Sequence, residues 1–169
     1  MTDNTKTYED IIKRVEYKSE HGKFPPDGPW ANEPDFFEWI EHQYTCVIWR
    51  NDTTGAWCGY VLLPEGHPLH GVEYQSVPAQ YEIDIHGGVT YSGKASELMA
   101  FLDEDPRWAY GFDCGHCYDA TPLSPMRKFP DVVYRDADYA IKETNSLAQQ
   151  LHYISLLEVA KLTMPPNCE

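Results

Sequence analysis

Residues 44–64, YTCVIWRNDTTGAWCGYVLLP, set the fold class. Two runs rich in β-branched and aromatic residues, YTCVIWRN and AWCGYVLLP, flank the turn-forming NDTTG. That pattern predicts a β-hairpin, and hairpins imply antiparallel pairing. Working outward, QYEIDIH alternates as a third strand, and Gly87-Gly88 turns it into a fourth, VTYSG. RWAYGFD reads as a further strand and ASELMAFLDED (95–105) as a short helix. PDFFEWIEHQ (34–43) fits a short helix with Pro34 at its first position. YEDIIKRVEYKSEH (8–21) has Ile11, Ile12 and Val15 on one face, predicting an amphipathic N-terminal helix. A long helix is expected from Tyr134 to about Tyr153, where Ala137, Ile141, Ala148 and Leu151 recur. The tail after it fits either more helix or a last edge strand. The expected architecture is α+β: a mostly antiparallel sheet with β-hairpins, packed against an N-terminal helix and a long C-terminal helix. A chain of 169 residues suits a single domain, residues 1–169.

Hydrophobic residues make up 42% and aromatic residues 14%, well above a disordered composition. No stretch approaches the roughly 20 apolar residues of a membrane-spanning helix, so no membrane partner is expected. The polar, acidic N-terminus lacks the pattern of a secretory or mitochondrial presequence. Five cysteines at scattered spacing do not form a disulfide framework, which points to a reducing cytoplasm. A formal net charge of −14 argues against direct nucleic-acid binding, which needs a basic surface. It leaves open a basic protein partner.

Chemistry-bearing residues gather in three expected loops: PEGHPLHG with Glu65, His67 and His70; EIDIHGG with Glu82, Asp84 and His86; and GFDCGHCYD (111–119). The last contains Cys114-Gly115-His116-Cys117, the letters of a dithiol centre. A redox dithiol sits at a helix N-terminus, but YDATPLSPMRKFP follows here, with three prolines. Asp113 beside Cys114 would also raise the thiol pKa, the wrong direction for reactivity. A structural zinc would need its other ligands from Cys46, Cys58, His67, His70 or His86, without a second Cys-x-x-Cys. The third reading needs no thiol. Asp113, His116 and Asp119 are spaced by three, so one turn could aim all three into a pocket. A carboxylate can orient one imidazole nitrogen and leave the other as acid, base or metal ligand. Glycines after His86 would let a ligand approach the backbone. Gly-rich phosphate loops, Gly-x-Ser-x-Gly elbows and His-Glu-x-x-His pairs are absent from the sequence.

The order GHPLHG, DIHGGVTYSG, YGFDCGHCYDATP and YRDADYAIKETNSLAQQL resembles a family of small uncharacterised phage and bacterial proteins. The similarity covers about residues 45–151, and the matching positions are His67, His70, His86, Gly87, Gly88, Thr90, Asp113, Cys114, His116 and Asp119. The family pattern omits a second cysteine, so the resemblance weakens both thiol readings of Cys117. It implies a phage or prophage setting, a soluble protein in the host cytoplasm, and no particular reaction.

The expected function is therefore a small-molecule site, nucleotide-like in its ligand and suited to hydrolysis. His86, His116, Asp113 and Asp119 are its candidate catalytic groups; His67, His70, Gly87, Gly88 and Thr90 are its candidate ligand contacts. A divalent metal held by the Asp and His side chains is compatible with that chemistry. Two alternatives are a non-catalytic binder that sequesters a host nucleotide signal and an acidic inhibitor of a basic host protein.

Overall fold

The structure is a computed structural model and describes residues 16–17, 24–98, 102, 104–123 and 131–163. Its centre is the expected hairpin. Strands β3 (Tyr44–Arg50) and β4 (Trp57–Leu63) pair antiparallel from Thr45↔Leu62 to Arg50↔Trp57. On one side of them lie β2 (Phe36–Glu41) and β1 (Glu16–Tyr17). On the other side, β4 pairs with β6 (Trp108–Asp113), which carries β5 (Tyr91–Lys94) at the edge. The sheet order is β1-β2-β3-β4-β6-β5, antiparallel throughout. A short α1 (Ala95–Leu98) follows β5, and a two-residue parallel pair, β7 (Asp119–Ala120) with β8 (Val133–Tyr134), leads into α2 (Ala137–Thr163). The fold is α+β.

α2 lies across β3 and β4 and buries Ala140, Ile141, Thr144, Leu147, Ala148, Leu151 and Ile154. These meet Phe37, Trp39, Ile48, Trp57, Val61 and Phe112 in one apolar cluster. Gly59 makes the close approach possible: a β-carbon there would collide with Thr144 Oγ1 and the Phe112 ring. Asp136 caps the helix, its Oδ1 accepting from the Tyr139 N–H at 2.8 Å. Glu33, from the proline-rich loop before β2, accepts from the Ala137 N–H at 2.8 Å and pairs with buried Arg50 at 2.5 Å. The loop is thereby tied to the start of the helix that carries the site.

Three sequence expectations change, and two more lie largely outside the described residues. Residues 34–43 form strand β2, not a helix. FFEWI suits either period, and β3 offers a complete ladder from Phe36↔Trp49 to Glu41↔Tyr44. The connecting His42 and Gln43 both have positive φ (48° and 70°), a tight hairpin turn without the Asn-Gly signal that usually marks one. QYEIDIH is no strand either. Ala79–Tyr81 is a 3-10 turn, and the following backbone bonds to α2 side chains instead of a neighbouring strand. The Asp84 N–H donates to Gln150 Oε1 and the His86 N–H to Glu143 Oε2. Its alternation still holds, since Tyr81 and Ile85 are buried. The C-terminal helix begins three residues later than expected and takes up the tail to Thr163. Of the expected 95–105 helix, α1 accounts for Ala95–Leu98, and much of the remainder lies outside the described residues. The expected 8–21 helix also lies outside them, except Glu16–Tyr17, which pair with β2 as strand β1.

Candidate functional site

Asp119 opens β7 at the foot of the β6–β7 loop, with its side chain 1% exposed. Its Oδ2 accepts from His86 Nε2 at 2.7 Å and from the His116 N–H at 3.1 Å. Its Oδ1 accepts from Arg135 Nε at 3.0 Å. Burial alone would raise this carboxyl's pKa, but the hydrogen bonds from His86 and Arg135 outweigh it and hold the group below the ordinary carboxylate range. Asp119 is therefore ionised at neutral pH and can only accept. That requires the His86 Nε2 atom to carry a proton.

The second ring nitrogen of His86 lies 2.8 Å from the Tyr139 hydroxyl. With Nε2 protonated, Nδ1 of the neutral ring accepts the phenol proton. The three groups form a line: carboxylate, imidazole, phenol. Tyr139 lies on the first turn of α2, and its ring stands perpendicular to that of His86, with centroids 5.4 Å apart. The Arg135 guanidinium covers the same phenol ring at 4.7 Å. Burial and then nearby Glu143 push the Tyr139 pKa up, against the opposing pull of Arg135, so the phenol keeps its proton. When His86 gains a second proton at Nδ1, it donates to the phenol oxygen. The phenol proton is then free to be given outward.

His116 flanks this line, its ring centroid 5.4 Å from that of His86. Its Nε2 is buried, has no hydrogen-bond partner among the described residues, and rests against Gly87. Gly87 and Gly88 both have positive φ (66° and 80°), and a β-carbon on Gly87 would overlap the His116 ring. Gly87 is needed for the close packing of the two histidine loops, whereas Gly88 is set by its positive φ alone.

The structure thus brings together His86, His116, Asp119, Gly87 and Gly88. Asp113 stands one turn away and is used locally: Oδ1 accepts from the Gly115 N–H and Oδ2 from the Thr90 hydroxyl. That contact also accounts for Thr90. His67 and His70 are placed elsewhere. His67 is buried, its Nδ1 accepting from the Leu69 N–H and its Nε2 donating to the Leu151 carbonyl. Leu151 is twelve residues along α2 from Tyr139, about 18 Å at the usual rise. With both nitrogens used, His67 serves packing and not ligand contact. His70 Nε2 donates to the Pro106 carbonyl. The shared cluster of histidines expected from sequence therefore reduces to two.

The thiols take no part. Cys114 is buried and Cys117 exposed, both free. Burial, followed by Asp119, Cys58 and Asp113, pushes the Cys114 thiol pKa up, away from reactivity. Among the described residues, no group of three His, Cys, Asp or Glu side chains is arranged to hold a metal ion. No described helix is long and apolar enough to cross a membrane.

Arg135, Tyr139 and Glu143 were not among the sequence candidates. Their signal was present: the i, i+4, i+8 spacing in YRDADYAIKE lines up Tyr139 and Glu143 on one face of the helix, with Arg135 just before its start. Comparison with family models, curated proteins and solved structures returned no match to this chain.

Proposed function

We propose that Asp119, His86 and Tyr139, with His116 beside them, form a proton-handling site for a small nucleotide-like or phosphorylated ligand, and that the protein is of the phage or prophage type its motifs resemble. Hydrolysis is the reaction this chemistry suits. The single observation behind it is the continuous line from the Asp119 carboxylate through both nitrogens of His86 to the Tyr139 hydroxyl. Tyr139 would donate its proton to the leaving oxygen as water attacks the phosphorus, one proton of that water passing to bulk solvent, from which His86 is later reprotonated. Protonated His86 would replace that proton, and Asp119 would hold the imidazole in register. Arg135, whose side chain is 27% exposed, supplies the positive charge at the rim.

A specific observation also favours binding without turnover. Both His86 nitrogens are already engaged and the phenol is held protonated, so no group in the line is a ready nucleophile. The same site would then sequester a nucleotide unchanged.

Incubation with a panel of nucleoside phosphates, followed by chromatography of the released ligand, separates the two readings. Hydrolysis predicts product that disappears in Tyr139→Phe, and sequestration predicts intact ligand retained by the wild type. Failure of every nucleotide to perturb the His86 and His116 ring resonances would reject both.

A further inference from the structure

A second feature lies between α2 and the 74–89 segment, away from the histidines. Two cavities, of about 470 and 380 Å³, flank the Tyr81-Glu82 dipeptide, which lines both. The first is walled by Tyr74, Val77, Pro78, Ile83 and Val89. The second is walled by α2 residues, among them Gln149, Tyr153 and Leu157. Apolar volume of this size accepts large side chains. Among the described residues no Lys or Arg lines either cavity, whereas Glu82 lines both as an exposed carboxylate and Asp84 is exposed two residues further on. Beyond the second cavity the apolar surface continues along α2 through Tyr153, Leu156 and Val159, each more than half exposed. Lys161 donates to the Tyr81 hydroxyl and to Glu158, its ammonium 5.0 Å from the Tyr81 ring centroid, so a cation is already accommodated at this edge of the groove.

We infer that this surface docks a basic amphipathic helix of a partner protein, whose apolar side chains fill the two cavities and whose Lys or Arg pairs with Glu82. Charge complementarity selects that occupant. The chain carries a net charge of −14, and the Glu82 carboxylate stands between the two apolar hollows. An anionic or uncharged segment would leave Glu82 unmatched, and a small cation would fill neither cavity. Recognition would follow the usual groove pattern, with apolar anchors at helical spacing and charge at the rim. The inference is independent of the proton relay.

The probe is a fluorescently labelled peptide of leucine and lysine arranged at helical spacing, read by anisotropy against the intact protein. Binding is expected at low salt, weakening as salt rises. Tyr153→Ala and Glu82→Lys are each expected to weaken it by about tenfold, the effect of losing one anchor of an interface. Both positions are exposed, so circular dichroism should show an unchanged fold. Glu65→Lys, a loop change of identical charge, should leave binding near wild type. Equal loss in Glu65→Lys, equal binding of a peptide scrambled to remove its apolar face, or no loss in Tyr153→Ala would overturn the inference.

Discussion

Asp119 gathers more contacts in one side chain than its position in sequence suggests. Three donors converge on its two oxygens inside a nearly closed environment. Asp119→Asn would remove the charge and turn an amide N–H₂ towards one of those donors. The expected cost is about 2–3 kcal/mol of stability, since a buried charged hydrogen-bond acceptor is lost while its donors stay buried. Urea denaturation measures it, and a loss within 0.5 kcal/mol on the order of a surface change would contradict the hub role. Tyr139→Phe tests the other end of the line. The phenol is half-buried and bonded only to His86 there, so stability should change by about 1 kcal/mol or less. The ¹⁵N resonance of His86 Nδ1 should nevertheless move, because its donor has gone. An unmoved Nδ1 signal would show that the phenol does not engage the imidazole in solution.

At the scale of elements, two glycines decide how closely parts meet. Gly59 on β4 admits Thr144 of α2, and Gly87 admits His116. Gly59→Ala should destabilise by about 1–3 kcal/mol through overpacking between helix and sheet, visible as a lower urea midpoint with the slope retained. Gly87→Ala combines a clash with a positive φ, so about 1–3 kcal/mol is expected there too. The two differ in what else moves. Gly87→Ala should shift the ring signals of His116 and His86, whereas Gly59→Ala should leave them in place. The 44–64 hairpin and β6 match their sequence patterns, β6 even though its partner β4 is distant in sequence. β2 was misread because FFEWI has an ambiguous period and His42-Gln43 carries no turn signature. The 80–86 stretch was misread because its alternation is real, yet its backbone partners are Gln150 and Glu143, more than fifty residues away.

For the whole molecule, acid stability should fall in two windows. Burial lowers the native pKa of His67, outweighing its bond to the Leu151 carbonyl, with His152 and His70 adding to the lowering. An unfolded chain therefore takes up a proton near the ordinary value of about 6.5 that the native chain refuses. Stability is intact above that value and declines as pH drops below it, towards the lower native value. Asp119 acts lower on the scale. Its native pKa lies beneath the ordinary value of about 3.9, so its contribution is full above that value and is lost as pH falls through the native one. Denaturation midpoints across this range test the profile. NMR should find His67 still in its neutral Nε2–H form where a free histidine has already titrated. A His67 ring that titrates at the free value would remove the first window.

Local pattern sufficed for the α+β class, the central hairpin and the long C-terminal helix. Those depend on period, turn chemistry and side-chain type, all of which act over a few residues. Tertiary packing decided which histidines meet. His67 and His86 stand in similar His-and-Gly loops, yet one bonds the Leu69 N–H and the Leu151 carbonyl while the other bridges Asp119 and Tyr139. The difference arises because α2 runs past both loops and offers a backbone carbonyl at Leu151 but a phenol at Tyr139. A contact between residues fifty or more positions apart is fixed by how a helix lies on a sheet, and no short stretch of sequence contains that information.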